Sequence, residues 1–135
     1  GTLMIRIFYL SKAADGVTVE DHQQILSTAR RFNREHGITG LLVVKDGYFA
    51  QALEGEPEDV ESLYERIKHD RRHSGVVMLS KTEADHRMFS DWEMGYRNLD
   101  EMEACDQFAQ IDLADKHFVE RPEELSLIFR SFVEE

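Results

Sequence analysis

Two apolar runs, 38–45 (ITGLLVVK) and 48–54 (YFAQALE), meet at Asp46-Gly47. Asp-Gly between such runs is a strong signal for a two-residue β-hairpin, because the tight turn needs positive φ that these residues tolerate. This hairpin commits the middle of the chain to a sheet, and the flanking segments must supply the remaining strands and the cover.

Upstream, residues 3–11 (LMIRIFYLS) alternate, with Ile5, Ile7, Tyr9 and Ser11 on one strand face and Arg6, Phe8 and Leu10 on the other. A turn around Asp15-Gly16 follows. Thr18 and Asp21 have the spacing of a capping box, and a helix is expected over 19–36 with Ile25, Leu26, Ala29, Phe32 and Asn33 on one stripe, ended by Gly37. Downstream, Gly55 breaks the second hairpin arm and Pro57 opens a helix to about residue 69, with Val60, Leu63, Tyr64 and Ile67 as its apolar face. Strands are expected at 75–82 (GVVMLSKT) and 89–96 (FSDWEMGY).

The order β-α-β-β-α-β-β predicts an α+β class, a ferredoxin-like sandwich with both helices on one sheet face. The other face then needs a cover. Leu125, Ile128, Phe129 and Phe132 repeat at helical spacing after Pro122, so C-terminal helices are expected there. A weaker helix is expected over 101–112, with Met102, Cys105 and Phe108 inward.

Charge divides the chain in the same place. The net charge is −11. Residues 1–99 carry 13 basic and 16 acidic side chains, and residues 100–135 carry 3 and 11, so the two parts have net charges of −3 and −8. The expected organisation is a compact module over 1–99 and an acidic helical extension over 100–135 that caps the sheet. An acidic chain of this kind is a poor nucleic-acid binder. No apolar run is long enough for a membrane span, so no membrane partner is expected. Cys105 is the only cysteine, which excludes an intrachain disulfide and a CxxC site. With no signal peptide visible, the expected location is the cytoplasm.

Chemistry is sparse. Phosphate-loop, dinucleotide, zinc-protease and serine-hydrolase patterns are missing. His69 and His73 have the spacing of a helical metal pair but straddle an expected helix end, and read as surface histidines. Three polar residues stand out because they sit on apolar faces: Tyr9 beside Ile5 and Ile7, Gln51 beside Phe49 and Leu53, and Asn33 beside Ala29 and Phe32. A buried phenol or amide without a partner costs a few kcal/mol, so each must be hydrogen-bonded. Singly, each reads as part of a core network. Together they read as the polar lining of a ligand pocket on the helix-covered face. Amides donate and accept, which suits a ring edge bearing C=O and N–H, such as a uracil or flavin.

The residues Ile7-Phe8-Tyr9-Leu10-Ser11, Asn33 followed by Gly37-Ile38-Thr39-Gly40-Leu41-Leu42, Gly47 to Gly55, Asp70-Arg71-Arg72-His73 and Arg87 to Met94 together resemble the BLUF domain, the flavin-binding blue-light sensor family. The likeness spans about residues 3–97, in the family's order and spacing. It implies a flavin, FAD in the first place with FMN or riboflavin as alternatives, held between the two helices. It implies that Tyr9 gives an electron and a proton to the excited flavin. Gln51 would bridge Tyr9 to the flavin edge and rearrange its hydrogen bonds. Asn33 would hold the ring's polar edge, with Ser11, Ile25, Ala29 and Arg30 as further cofactor-binding candidates. Trp92 and Met94 would repack around Gln51 and relay the signal. Arg31, Arg71 and His73 are weighed alongside Arg30 as groups at the pocket mouth.

The expected function is therefore a blue-light photoreceptor, not itself an enzyme, that works as a homo-oligomer and signals to a downstream protein by contact. Only 38 residues follow Arg97, too few for a cyclase or phosphodiesterase domain. The chain reads as a short stand-alone photoreceptor or as the sensor fragment of a larger light-regulated nucleotide cyclase or phosphodiesterase. Two rivals share the fold: an interaction domain without a functional flavin, and an acylphosphatase-like hydrolase, for which Arg30 and Asn33 are poorly placed.

Overall fold

The computed structural model describes residues 3–102 and 110–134. The elements are β1 (Met4–Ala13), α1 (Val19–His36), β2 (Thr39–Lys45), β3 (Tyr48–Gly55), α2 (Pro57–Lys68), β4 (His73–Ala84), β5 (Gly95–Asn98), a 3-10 turn at Leu99–Glu101, α3 (His117–Glu120) and α4 (Pro122–Val133). The sheet order is β4-β1-β3-β2-β5. β3 runs antiparallel to both β1 and β2, so β1-α1-β2 is a parallel crossover with a strand inserted between its arms. This is the split βαβ of a ferredoxin-like sandwich.

Local chemistry sets the element ends. Thr18 caps α1: its Oγ1 accepts from the Asp21 N–H, while its own N–H donates to Asp21 Oδ2 at 2.8 Å. Gly37 closes α1 in the left-handed region at φ 66°. Asp46 and Gly47 both take positive φ, 50° and 80°, as the hairpin requires.

The sheet alternation makes two cores. Ile5, Ile7 and Tyr9 of β1, Leu42 and Val44 of β2, and Phe49 and Leu53 of β3 pack with Leu26 of α1 and Val60, Leu63 and Tyr64 of α2. On the opposite face Phe8, Leu10, Leu41, Val43, Ala50 and Ala52 pack with Leu113, Phe118, Leu125, Phe129 and Phe132. The C-terminal helices thus cover the second face as expected. The helix expected over 101–112, with Cys105 and Phe108, falls mostly on 103–109, outside the described residues. Its first residue, Glu101, ends the 3-10 turn instead, and Met102 packs against the second core.

One expectation is overturned. Residues 89–94 are not strand, and β5 begins only at Gly95. The N–H groups of Met88 and Phe89 are given to the Glu54 carboxylate, at 2.9 and 2.6 Å, and the Trp92 N–H closes a turn on the Phe89 carbonyl at 2.9 Å. With those donors spent, no ladder forms until β5 pairs in parallel with β2 from Leu41↔Gly95 onward.

Gly40 marks the tightest approach in the sheet. A Cβ there would lie 2.0 Å from the Ala52 carbonyl oxygen and 3.3 Å from Met94 Cε. A backbone oxygen cannot step aside as a side chain can. Gly40→Ala should therefore destabilise by at least about 3 kcal/mol, the upper end of overpacking costs, read as a fall in the urea midpoint at unchanged m-value.

Candidate functional site

α1 and α2 lie over the sheet with a cavity of about 160 Å³ between them. That is roughly ten times the space one buried water needs. The floor is Tyr9 from β1, Leu42 from β2 and Phe49 and Gln51 from β3, with Met94 at one end. The walls are Ile25, Thr28, Ala29 and Phe32 of α1 and Leu63, Arg66 and Ile67 of α2, and Asp70, Arg72 and His73 complete the rim.

Tyr9 and Gln51 stand directly opposite each other on neighbouring strands. Both are buried, at 2% and 5% exposure. The Tyr9 hydroxyl donates to Gln51 Oε1, and Gln51 Nε2 donates to Met94 Sδ at 3.2 Å. A phenol, an amide and a thioether thus form one chain along the cavity floor. Burial raises the Tyr9 pKa far above its ordinary value, with smaller pushes in the same direction from Tyr64 and Asp70. The phenol is protonated, and its proton points at one acceptor.

Asn33 is fully buried on α1, and its Nδ2 donates to the Glu93 carbonyl. Its Oδ1 is the one buried side-chain nitrogen or oxygen without a hydrogen-bond partner among the described residues. Asn33 does not line the cavity itself. Ser11 does not either: its Oγ lies 2.7 Å from His73 Nδ1. The other His73 nitrogen, Nε2, faces the Ile67 carbonyl, which can only accept. Neutral His73 therefore carries its proton on Nε2, and the Ser11 hydroxyl donates to Nδ1.

Arg30 is not at the cavity mouth: its Nε donates to the Met94 carbonyl at 3.0 Å. With Arg30 and Asn33 both committed to the 93–94 backbone, neither forms the anion-binding loop of a hydrolase. Ile25 and Ala29 line the cavity. Met94 is buried against Gln51, whereas Trp92 packs with the second core, stacked on Phe89 at 6.3 Å and covered by the Arg97 guanidinium at 5.3 Å. Sequence reasoning missed most of the α2 wall and the rim. Leu63 and Ile67 read as ordinary packing positions, and Arg66 carried no signal of its own. In the structure Arg66 lies 4.9 Å over the Phe32 ring, and Arg72 holds Asp70 through two bonds of 2.9 and 2.6 Å. The bond from Arg72 holds the Asp70 carboxyl below its usual range.

His22 lies beside the site on α1, edge-on to Phe49 and 2.8 Å from the Tyr96 hydroxyl through Nδ1. Burial lowers its pKa below 6.5, against the opposing pull of Asp21, Asp100 and Glu101. In acid the unfolded chain binds a proton that the folded state resists, so stability rises with pH through this window. His22 thus stabilises the fold fully above its unfolded pKa, and the contribution is lost as pH falls below it. Melting temperatures at about pH 7.5 and 5.5 should show a smaller acid loss in His22→Gln than in the parent chain.

The residues fit a flat heteroaromatic ring. The cavity walls are mostly apolar, the small Ala29 leaves room on α1, and Gln51 offers both donor and acceptor on the floor.

Comparison with known proteins bears on the same residues. The family described as "BLUF: Sensors of blue-light using FAD" matches residues 4–95. The beta subunit of a photoactivated adenylate cyclase from Euglena gracilis is 33% identical over 103 residues, covering 73% of this chain and 12% of that protein. The chain thus spans about an eighth of the length of this curated relative. Among solved structures, the dark state of the BLUF protein BlrB superposes with a TM-score of 0.84 at 25% identity, covering 98% of this chain and 97% of that one. A bacterial light-regulated adenylyl cyclase gives 0.73 at 31% identity, covering 97% of this chain and 36% of that one. The matched span runs from β1 to the start of β5 and so carries both the helix pair and the Tyr9–Gln51–Met94 chain beneath it, and the protein belongs to the BLUF family of flavin-using blue-light sensors.

Proposed function

We propose that the cavity between α1 and α2 binds FAD, and that light is registered by Tyr9 and Gln51 and read out through Met94, β5 and the C-terminal segment. The observation that carries this reading is the buried chain from the Tyr9 hydroxyl through the Gln51 amide to the Met94 sulfur. Ile25, Ala29 and Phe32 face the ring from α1, and Asn33, set back from the cavity, holds the backbone next to Met94. Arg66 on the α2 wall and Arg72 at the rim supply the positive charge a phosphate would need.

The bound flavin supplies absorption of blue light and, once excited, the capacity to accept an electron. Tyr9 is the donor. Its burial makes a separated charge costly, so the proton leaves with the electron, and the hydrogen bond to Gln51 Oε1 fixes its exit. The Gln51 amide is held weakly at its other end, since a thioether is a poor acceptor. While the Tyr9 O–H points at Gln51, only the amide oxygen can face it. Once that hydrogen has moved, the NH₂ can take the place, and return of the electron and proton to Tyr9 leaves only the hydrogen bonds rearranged. The position of one proton thus biases a two-state side chain. Met94, flexible and touching the amide, adapts to either state.

Beyond the sheet, we divide the chain at residue 99 into a sensor and an acidic output element. Met94 leads into β5, which runs into the 3-10 turn and the helices on the second face. The cyclase relatives are much longer than this chain, which supports a sensor whose effector lies elsewhere, on a partner protein or on a further domain. We take the chain itself to have no enzymatic activity, to act in the cytoplasm and to signal as a homo-oligomer.

The deciding measurement is a light-minus-dark absorption spectrum of the purified, flavin-reconstituted chain. A red shift of the flavin bands that reverses in darkness is expected. Failure to retain flavin, or a flavin spectrum that does not change under blue light, would sink the reading. Acid extraction and chromatography of the bound flavin separate FAD from FMN and riboflavin.

A further inference from the structure

We propose that Glu54, on the sheet face away from the cavity, is a positioning residue that sets where Trp92 and Met94 stand. On β3 the odd residues Phe49, Gln51 and Leu53 face the helices and the even residues Ala50 and Ala52 face the second core. Glu54 follows in the even row, fully buried. Both carboxylate oxygens are in use. Oε1 accepts from Thr39 Oγ1 at 2.9 Å and from the Phe89 N–H at 2.6 Å. Oε2 accepts from Arg6 Nε at 2.9 Å and from the Met88 N–H at 2.9 Å. Arg6 also donates to the His86 carbonyl at 2.9 Å, and Arg87 donates to Thr39 Oγ1 at 2.9 Å. Residues 86–89 are therefore fastened to the end of the strand that carries Gln51, by charge-assisted bonds.

The fastening reaches Trp92 and Met94 through the backbone. Phe89, whose N–H Glu54 holds, is the ring on which Trp92 stacks, and its carbonyl accepts the Trp92 N–H. The Trp92 carbonyl in turn accepts from the Gly40 N–H at 3.0 Å. Gly95 leaves the indole its seat, since a Cβ there would come within 2.6 Å of Trp92 Cε3. From the other end, Asn33 and Arg30 of α1 hold the carbonyls of Glu93 and Met94. Residues 90–94 are a short tether fixed at both ends, with Trp92 on one side of the sheet and Met94 on the other. Glu54 is the buried anchor at its N-terminal end. All four of its partners are donors, so a glutamine of the same shape would set an NH₂ group against two of them.

The role of Met94 as a relay rests on the reading given above; the anchoring does not. Trp92 is the only tryptophan, so its emission reports on this segment alone. In the dark holoprotein, acrylamide quenching of Trp92 should rise at least twofold in Glu54→Gln and stay at the parent level in Thr39→Val, which removes a donor but no backbone bond to the segment. In the parent, the Met88 and Phe89 amides should exchange with solvent at least tenfold more slowly than the exposed Asp91 amide. Under blue light Glu54→Gln should keep the absorption shift, since Tyr9 and Gln51 are untouched, but lose any light-dependent change in Trp92 quenching. A folded Glu54→Gln with parent-like quenching overturns the proposal. If that variant does not fold, the parent amides decide: protection supports the anchor, and exchange as fast as Asp91 overturns it. A parent without a light-induced absorption shift counts against the photochemistry, and the dark quenching and amide results still decide Glu54.

Discussion

Tyr9→Phe should bind flavin and show no red shift under blue light. Phenylalanine keeps the ring that packs against Tyr64 at 5.7 Å but has neither the easily oxidised phenol nor the proton that points at Gln51. Gln51 Oε1 is left without its donor, and an unpaired buried acceptor costs about 1–3 kcal/mol. A modest fall in melting temperature should accompany the loss of the photocycle. Flavin emission should rise as well, because the nearest electron donor on the cavity floor has gone. A reversible shift of parent size in this variant would remove Tyr9 from the mechanism.

Gln51→Leu should abolish the shift for a different reason. Leucine fills similar space at the centre of the sheet but can neither accept from Tyr9 nor donate to Met94. Tyr9 stays and can still give up an electron, so flavin emission should remain closer to the parent than in Tyr9→Phe. No two-state side chain is left to store the event. The pair of variants therefore separates the electron step from the memory of it: emission changes in one, and the persistent shift vanishes in both. A lasting red shift in Gln51→Leu would mean that another group rearranges.

The sheet, its hairpin and both crossover helices were legible because their signals are local. Asp46-Gly47 fixes a turn, Thr18 and Asp21 fix a helix start, and alternation along 3–11 sorts side chains between faces. Tyr9 and Gln51 were legible as polar residues on apolar faces, but their pairing across β1 and β3, which no hairpin joins, is set by the sheet topology. The segment 89–94 was not. FSDWEMGY reads as strand because its own residues tolerate one, but its first donor is claimed by a carboxylate 35 positions away and the Trp92 N–H by a turn. Arg30 was misplaced for the same reason. A basic residue one turn from Asn33 suits a phosphate at the mouth equally well, and only the tertiary structure brings the Met94 carbonyl, 64 positions on, to its guanidinium. The α2 wall stayed hidden because Leu63 and Ile67 look alike whether they meet another side chain or a ligand.

The strand order β4-β1-β3-β2-β5 has a consequence for how the sensor treats noise. β1 and β3 each have a neighbour on both sides, whereas β5 is a four-residue strand at the edge, paired with β2 alone. Interior strands open only when much of the fold opens, and edges fray at far lower cost. A thermal opening that parted the backbones beneath Tyr9 and Gln51 would break their bond without light, and mounting the pair on two interior strands makes such openings rare. The segment that has to answer a genuine event hangs from the edge, where a small push suffices. One sheet thus gives the detector a quiet mount and the reporter a light one.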